Sequence, residues 1–358
     1  MIKEFFSKKR SLKERETFFE EIKADLVRTD DGTYTYEING ETMHSITGAY
    51  DESIHKFCIP SMIEKRKFLL DLFSGFGYNA AAALEINPEL RIEMVEKDPE
   101  ILCMALLIPD LSDMHRKIKG AIESSLYEKG IVRNKVYEKP KNVHLAITNA
   151  LTHGYGGRYN VIFHDAFSPK IEWRPYSTSF FMTLYNVLSH DGVLVTYSSS
   201  TPMRSSLLEA GFFIGRTASH KRRRSGTIAS KIDNLTDLSR MDERMIALTD
   251  LGIPYQRGRK ELRKKMRNTS LFSSSARLYF EDLYDFGEKF SVTNKKKNKT
   301  KRSIRKMRLT KKEVMYIVCP QYKECICGKC FKSYKKSTER IKEMKNRVLE
   351  INAEDFVK

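Results

Sequence analysis

Polar side chains accompany four successive apolar runs in the first half of the chain, near the points where buried strands would end. Asp71 lies in the first run, Glu96 comes 25 residues later at the end of the second, Asn149 follows the third and Asp165 the fourth. Because the carboxyl ends of parallel strands meet at one edge of a sheet, we expect these side chains to line one crevice. An acid at the end of the second strand can accept hydrogen bonds from both hydroxyls of a ribose.

A glycine-bearing turn follows Asp71, with Gly75 and Gly77 between a predicted strand and a predicted helix. Glycine lets the backbone approach a ligand closely because no Cβ intervenes. The turn lacks the Gly-Lys-Ser/Thr of a phosphate-binding Walker loop, and Ala80 replaces the third glycine of a dinucleotide fingerprint. With Asn149 and Ala150 placed to contact an adenine, the four elements favour a methyltransferase that binds S-adenosylmethionine. The alternative is that the acid after the fourth run only caps a helix.

Four cysteines crowd into twelve positions near the end of the chain: Cys319, Cys325, Cys327 and Cys330. Four thiolates are enough for a tetrahedral zinc site or for an iron–sulfur cluster, and the sequence favours zinc. The alternative is a group of thiols without a metal. The two remaining cysteines are isolated and are interpreted as small core residues.

The elements that must position these groups form an alternating series of short apolar strands and helical stretches. Such alternation predicts a parallel sheet with right-handed crossover helices. The fold class is therefore α/β, the doubly wound, Rossmann-like fold of class I S-adenosylmethionine-dependent methyltransferases, with a sixth and a seventh strand closing the sheet as a hairpin. The predicted strands are Phe68–Phe73, Ile92–Val95, Val143–Ile147, Val161–His164, Val193–Tyr197, Phe212–Arg216 and Thr227–Ser230.

The composition predicts four regions along the chain. Residues 1–60 form an N-terminal extension, with a charged helix over residues 1–30 and a β-rich part up to Ile59. Residues 61–290 form the methyltransferase domain, and residues 291–312 form a basic linker in which Lys295 to Lys312 includes 11 Lys or Arg and no acid. Residues 313–358 form the cysteine-rich tail, with a helix from about Ser333 to Asn352.

The net charge of +18 is concentrated in clusters, at Lys8–Arg10, at Lys221–Arg224 and in the linker. Clustered cations favour a polyanionic partner, and nucleic acid is favoured over a membrane because no amphipathic apolar stripe accompanies them. A lysine-rich proteome is the alternative explanation. Since the chain has no apolar run of about 18 residues and no signal peptide at its start, we expect a cytoplasmic protein; the sequence leaves its oligomeric state open.

Between about Thr29 and Arg267 the chain resembles the methyltransferase domain of MnmC-type tRNA-modifying enzymes, in the free-standing form without the flavin-dependent oxidase domain. The Asp-Ala-Phe-Ser-Pro element at Asp165 and the His-Ser-x-x-Gly-Ala-x-x-Glu-Ser element at His44 are its specific parts. The matching segments are Thr29–Thr35, Met43–Ser53, the glycine turn with Tyr78 and Asn79, Val95–Asp98, Asp165–Lys170, Thr196–Ser198, Gly211–Phe212, Gly226–Ala229 and Gly252–Tyr255.

The resemblance adds side chains to the expected site. It implies that the cofactor is also bound by Ser45, Glu52, Tyr78, Asn79 and Lys97. It implies substrate contacts for the loop residues Phe167, Ser168 and Pro169, and His44 and His164 lie near the predicted crevice.

The implied reaction is methylation of the primary amine of 5-aminomethyluridine, with or without 2-thio, at the tRNA wobble position. Asp165 is the candidate base for the protonated amine. The chain departs from the family in two places: Asn149 replaces the usual Asp, which should weaken an adenine contact, and Ile171–Pro175 differs from the family's Pro-Glu-Leu-Trp run.

Two other functions stay open. The fold and the N-terminal β extension are similar to those of spermidine synthase, an aminopropyltransferase that also acts on an amine. The second alternative is a non-catalytic RNA-binding protein with a methyltransferase fold, although the presence of both Glu96 and Asp165 speaks against it.

Overall fold

A computed structural model describes residues 1–38, 40–220, 225–269, 309–321 and 324–355 of the 358-residue chain. The basic cluster Lys221–Arg224 and residues 291–308 of the predicted linker lie outside the described residues. The chain divides into two compact units. The first contains residues 1–175, 183–198 and 217–231, and the second contains residues 176–182, 199–216 and 232–358.

The strands and helices follow the alternation predicted from the sequence over the sheet region. The strands are β1 Val27–Arg28, β2 Tyr34–Thr35, β3 Glu37–Ile38, β4 Glu41–Thr42, β5 Phe68–Leu72, β6 Arg91–Glu96, β7 Val143–Ile147, β8 Tyr159–His164, β9 Leu188–Thr196, β10 Phe213–Arg216 and β11 Thr227–Ser230. The α-helices are α1 Ile2–Phe6, α2 Leu12–Ile22, α3 Ala49–Glu52, α4 Ile59–Ser61, α5 Tyr78–Ile86, α6 Pro99–Ala105, α7 Asp113–Glu128, α8 Thr178–Val187, α9 Thr201–Glu209, α10 Arg240–Leu248, α11 Arg259–Thr269, α12 Lys311–Val318 and α13 Ser337–Asp355. A π-helix, Ser53–Cys58, joins α3 to α4.

Seven of these strands form one mixed sheet in the order β10-β11-β9-β8-β5-β6-β7. Strand β5 lies between β8 and β6 and is parallel to both, and β6 and β8 are parallel in turn to β7 and β9. Strand β11 runs antiparallel to β9. The predicted doubly wound α/β fold is confirmed, and the chain direction around β5 places a topological switch point between β5 and β8.

The central strand β5 is buried from Leu69 to Leu72, and this is why it reads as a continuous apolar run interrupted only by Asp71. Helix α5 follows this strand in the chain, and its residues from Tyr78 to Leu84 are all buried. The glycine turn therefore joins a buried strand directly to a buried helix.

The N-terminal extension differs from the prediction in three ways. The single helix expected over residues 1–30 is two helices, because Ser11 and Glu14 form a capping box that starts α2 anew. Val27–Arg28, expected to be helical, instead forms β1 and pairs with β2; the β-rich part expected up to Ile59 contains β2 and the pair β3–β4, but residues 49–61 are helical. There the buried positions 49, 53, 56 and 57 recur at helical spacing, which outweighs the strand propensity of single residues.

Within the second unit, the cysteine-rich tail packs on earlier helices. Helix α13 packs along α10, and Arg340 of α13 donates to both carboxylate oxygens of Glu243, at 2.9 and 2.7 Å. Both side chains are buried. Helix α12 adds Val314, Ile317 and Val318 to an apolar cluster with Met344. The domain boundaries at 60, 290 and 312 stay predictions. No helix among the described residues is both long and apolar enough to cross a bilayer.

Candidate functional site

A cavity of about 290 Å3 opens at the carboxyl ends of the central strands in the first unit. It is lined by Glu96 and Lys97 after β6, by Asn149 after β7, and by Asp165 and Phe167 after β8. Three of the four residues that the sequence placed near successive strand ends, Glu96, Asn149 and Asp165, therefore line one cavity, while Asp71 is buried within β5 and does not line it.

The glycine turn after β5 has the backbone shape that was expected of it. Gly75 and Gly77 have positive φ angles of 52° and 84°, and a Cβ on Gly77 would lie 2.5 Å from Cγ2 of Ile118. Phe73, which begins the turn and lines the cavity, also has a positive φ, 62°, a rare conformation for an aromatic residue. Such backbone geometry is retained where the surroundings require it, commonly at ligand sites.

Asp71 is fully buried on β5, and neither oxygen of its carboxylate has a hydrogen-bond partner among the described residues. Burial, together with the charges of Asp165 and Glu96, raises the pKa of Asp71 well above its usual range. A buried acid without partners is costly to fold, so its presence beside the glycine turn favours a ligand that completes it.

Glu96 ends β6 and its carboxylate is held by backbone amides. The N–H groups of Lys97 and Asp98 donate to Oε1 at 2.7 and 3.0 Å, and that of Gly75 donates to Oε2 at 3.3 Å. Burial raises the pKa of Glu96 despite these bonds. The arrangement fixes the carboxylate against the glycine turn, at the edge of the cavity where the sequence predicted a ribose contact.

Asp165 faces the same cavity from the end of β8, and the amide of the buried Asn79 donates to its Oδ2 at 2.7 Å. Burial, and secondly the charge of Glu52, raise the pKa of Asp165 to about 7. A carboxyl with a pKa near neutrality can both accept and release a proton under physiological conditions. Asn79 and Glu52, which were predicted to bind cofactor, thus act here on the carboxyl of Asp165.

The two histidines near the crevice differ in their surroundings. His164 is buried and its Nε2 donates to the carbonyl of Pro175 at 2.8 Å, which favours a structural role. His44 lines the cavity, and its buried Nε2 has no partner among the described residues. Burial lowers the pKa of His44 to about 4, so the ring is neutral and able to bind a polar ligand group.

Several predicted site residues lie beside the cavity without lining it. The hydroxyl of Tyr78 donates to the carbonyl of Tyr34 at 2.9 Å, which ties α5 to β2. The backbone N–H of Ser45 donates to Glu52, and the hydroxyl of Ser168 donates to Glu41, at 3.0 and 2.8 Å. The remaining two, Ala150 and Pro169, flank the lining residues in the chain.

Other lining residues were not expected from the sequence. Met43 and Ile38 come from the β3–β4 hairpin, and Asp98 and Ile101 come from the start of α6. In the segment that follows β8, the lining residues Arg174 and Glu172 form an ion pair in which two nitrogens of the guanidinium donate to the two carboxylate oxygens. Their signal is weak in the sequence, because a hairpin or helix start reaches a ligand only through tertiary packing.

The four tail cysteines come together in the second unit. Cys319–Cys330, Cys325–Cys327 and Cys327–Cys330 each have their sulfurs 3.7 Å apart, and all four sulfurs lie within 4.8 Å of one another. A tetrahedral zinc ion with Zn–S bonds of about 2.3 Å requires sulfurs about 3.8 Å apart. An iron–sulfur cluster needs more room, since its irons and inorganic sulfides lie between the cysteines.

A buried arginine adjoins this cysteine cluster. Arg347 of α13 lies with Nη2 3.4 Å from Sγ of Cys330 and Nη1 3.7 Å from Sγ of Cys327, and its Nε donates to Glu343 at 2.8 Å. Four thiolates with one divalent ion carry a net charge of −2, which a neighbouring guanidinium partly offsets. The positive charge of Arg347 beside the cluster is therefore compatible with four thiolates that bind one divalent metal ion.

A second group of metal-binding side chain types, Asp51, His55 and His220, has a different geometry. The two imidazole rings stack at 3.7 Å with their planes 10° apart, and Nε2 of His220 is 2.9 Å from Oδ2 of Asp51. A metal must lie near the plane of each imidazole that binds it, and two parallel stacked planes do not share such a point. We interpret this group as a hydrogen-bonded pair of histidines on one carboxylate.

Comparisons with known proteins identify the family. A family model described as S-adenosyl-L-methionine-dependent methyltransferase matches residues 114–232. An uncharacterized protein of Methanocaldococcus jannaschii is 38% identical over 253 residues, which cover 68% of this chain and 70% of that protein. The crystal structure of MnmC2 from Aquifex aeolicus is similar with a TM-score of 0.51 and 29% identity, covering 66% of this chain and 79% of that one.

The chain belongs to the S-adenosyl-L-methionine-dependent methyltransferases. The predicted cofactor and the predicted resemblance to MnmC-type enzymes are confirmed at this level. The individual site residues stay predictions.

Proposed function

We propose that this methyltransferase transfers a methyl group to the primary amine of 5-aminomethyluridine, with or without 2-thio, at the wobble position of tRNA in the cytoplasm. The observation that carries the proposal is Asp165, a carboxyl with a pKa of about 7 that faces the cavity beside the Asp-Ala-Phe-Ser-Pro loop. The similarity to MnmC2 supports the substrate class.

The residues around the cavity fit the cofactor. The carboxylate of Glu96 lines the cavity and is held against the glycine turn by the N–H of Gly75, which supports its role as the acceptor for a ribose. The neutral imidazole of His44, which lines the cavity and has no partner at Nε2 among the described residues, could bind the polar end of the cofactor. When bound, S-adenosylmethionine supplies a methyl group on a sulfonium, which needs only a nucleophile in line with the C–S bond.

The chain's own contribution is to position and deprotonate the amine. An alkylamine is largely protonated at neutral pH and has no free lone pair in that state. The Asp165 carboxylate would accept that proton, and the freed lone pair could then take the methyl group that the cofactor would supply, leaving the C–S electron pair on its sulfur. Asn79 holds the carboxylate in place through its 2.7 Å hydrogen bond. General-base assistance of this kind contributes about 10²–10⁴-fold.

The basic character of the chain supports a polyanionic substrate. The net charge is +18, and the longest cluster, at residues 295–312, lies outside the part of the sequence that resembles the enzyme family. A small polyamine substrate would be repelled by such cations, whereas tRNA releases counterions when it binds them.

The test is a methylation assay with labelled cofactor on bulk tRNA and, in parallel, on putrescine. We expect label in tRNA and, by mass spectrometry of its nucleosides, in 5-methylaminomethyluridine. Wobble uridines from cells that lack the protein should accumulate the aminomethyl precursor. Transfer to putrescine alone, or cofactor binding without transfer to any nucleoside, would contradict the proposal.

We also propose that the cysteine cluster binds one Zn2+ per chain. The 3.7 Å sulfur spacing supports a single tetrahedral ion. Metal analysis of the purified protein should find zinc, and Co2+ in its place should give thiolate charge-transfer absorption. Cys330→Ser should lose the metal, while Cys103→Ala, at a buried and isolated cysteine, should keep it. Stoichiometric iron with labile sulfide would overturn the assignment.

A further inference from the structure

Phe331, the residue after the last cysteine of the cluster, is fully exposed at 101% of the reference value. The next most exposed large apolar side chain among the described residues is Met1, at 73%. A fully exposed aromatic ring buries no surface when the chain folds, so folding stability does not explain why a phenylalanine stands at this position.

The backbone that presents Phe331 is anchored on both sides. Before it, Cys330 belongs to the cysteine cluster and its sulfur contacts Arg347. After it, Tyr334 is buried, and Arg347 lies over its ring at 5.9 Å. The ring is therefore carried on a short segment whose two ends are fixed, which lowers the entropy lost when something binds to it.

The surroundings of Phe331 are cationic. Residues 328–336 contain four lysines and no acid. Lys329, Lys332 and Lys335 are exposed; the ammonium of Lys332 lies 5.2 Å from the Tyr334 ring centroid, and that of Lys329 lies 5.6 Å from the ring centroid of Tyr316. The side chains are thus held near the segment rather than spread into solvent.

We propose that this segment, residues 328–336, is an RNA-binding site in which Phe331 stacks on an unpaired base while Lys329 and Lys332 bind the adjacent phosphates. Exposed aromatic rings flanked by cations on small metal-bound modules are suited to single-stranded RNA, because every base offers a face for stacking. The choice of RNA as the partner rests on the function proposed above. The lysine charges favour RNA over a protein partner, which would need a larger apolar surface.

The experiment measures binding of the full-length, zinc-loaded protein to bulk tRNA, to a short oligouridine and to a fully paired RNA duplex of equal length. Phe331→Ala should weaken binding of tRNA and oligouridine by about 5- to 150-fold, the range for one stacked base, and leave duplex binding unchanged. Its salt dependence should equal that of the wild type. Lys329→Ala with Lys332→Ala should instead reduce the slope of log affinity against log salt by about 1–2.

Two further variants separate stacking from structure. Phe331→Trp should keep the affinity of the wild type, because a tryptophan also stacks on a base. In a Trp173→Phe background, which removes the single natural tryptophan, the fluorescence of the new tryptophan should be quenched by oligouridine. Tyr127→Ala removes another exposed aromatic ring, 46% exposed and lying beneath Lys135, and should leave RNA affinity unchanged.

The outcomes distinguish this site from the proposed function. If wild type and Phe331→Ala bind oligouridine and tRNA equally while the wild type methylates tRNA, the stacking site is wrong and the function stands. If the wild type methylates no tRNA but Phe331→Ala still loses oligouridine affinity, the function is wrong and the site stands. Equal loss on the duplex and on oligouridine would overturn stacking, because a paired base offers no free face.

Discussion

The cavity of the first unit and the contact between α10 and α13 in the second hold buried acids in opposite settings. Around the cavity, the carboxylate of Asp71 and Nε2 of His44 are buried without partners among the described residues. In the second unit, Glu243 is equally buried, but it accepts from Arg340 and from the hydroxyl of Ser337. The carboxylate of Asp71 and Nε2 of His44 are thus left unpartnered, whereas the carboxylate of Glu243 is paired by side chains of its own unit.

This difference indicates where to look for function and where to look for stability. Buried polar groups that pair with each other stabilise a fold, while those left unpaired lower stability and are retained for what they bind. Variants at the Glu243–Arg340 pair should therefore change mainly unfolding, and variants at the cavity should change mainly binding or turnover.

The largest effect is expected at Arg340. Arg340→Ala leaves the buried Glu243 without its cation, and breaking a buried ion pair in this way costs about 3–5 kcal/mol of unfolding free energy. The measurement is denaturant unfolding of the variant. Lys345→Ala, in the same helix as Arg340, breaks an exposed pair with Glu209 and should cost less than about 1 kcal/mol. Equal losses in both variants would show that the buried pair stabilises the fold no more than an exposed one.

Asp165→Asn should lower single-turnover methylation by about 10²-fold or more while cofactor binding changes little. In the wild type the rate should rise as pH passes about 7, because only the ionised carboxylate accepts the proton. Glu52→Gln should move this rise to lower pH, since it removes the negative charge that helps to raise the pKa of Asp165. Wild-type rates at neutral pH in the Asp165→Asn enzyme would show that another group is the base.

The same variant has a stability readout. The pKa of Asp165 is raised on folding. Its favourable contribution to the free energy of unfolding is therefore complete below the unfolded pKa of about 3.9 and is lost as pH rises to about 7. Asp165→Asn avoids this loss. Its melting temperature should exceed that of the wild type by an amount that grows between about pH 4 and pH 7 and is constant above. A difference independent of pH would mean that the carboxyl is not perturbed.

A smaller effect is expected at Glu96. Glu96→Ala should weaken S-adenosylmethionine binding by about 1–3 kcal/mol, through loss of a ribose contact and of the bonds from Gly75 and Lys97. Calorimetry measures it, with the exposed Glu89→Ala as the matched control. Unchanged affinity in Glu96→Ala would exclude this side chain from the cofactor site.

The smallest effect concerns the basic linker. Cutting the chain at about Ser291 would isolate the linker only if the tail were independent, yet α13 supplies Arg340 to the buried Glu243. Replacing the nine Lys and Arg of residues 295–308 by Ser is therefore the better test. It should flatten the salt dependence of tRNA affinity and raise the Michaelis constant, with the maximal rate unchanged. Identical salt slopes would exclude phosphate binding by this segment.

The sheet could be predicted from the sequence because each strand is a local apolar run. Val143–Ile147 and Thr227–Ser230 have the bounds that were predicted. The docking of the tail could not be predicted, since Glu243 and Arg340 are 97 residues apart and neither has a local signal for the other. The break between α1 and α2 does have such a signal, the Ser11–Glu14 capping box, which a reading of charge alone passes over.

The site was predictable to the level of which strand ends meet. Glu96, Asn149 and Asp165 line one cavity as expected. Side-chain direction was not predictable: Tyr78 lies in a matching motif, but its hydroxyl bonds to Tyr34 because the phase of α5 turns it that way. The neutral state of His44 depends on burial from all sides, which no neighbour in sequence reveals.

Three buried acids near the carboxyl ends of the central strands, two of which line the cavity, have a consequence for the proposed catalytic cycle. Burial raises the pKa of Asp71, Glu96 and Asp165 together, so the empty crevice disfavours its own full ionisation. S-adenosylmethionine carries a net positive charge, and S-adenosylhomocysteine, left after transfer, carries none. Binding of the donor should therefore release protons from these carboxyls, and the neutral by-product should be held more weakly. Electrostatics would thus favour exchange of spent for fresh donor.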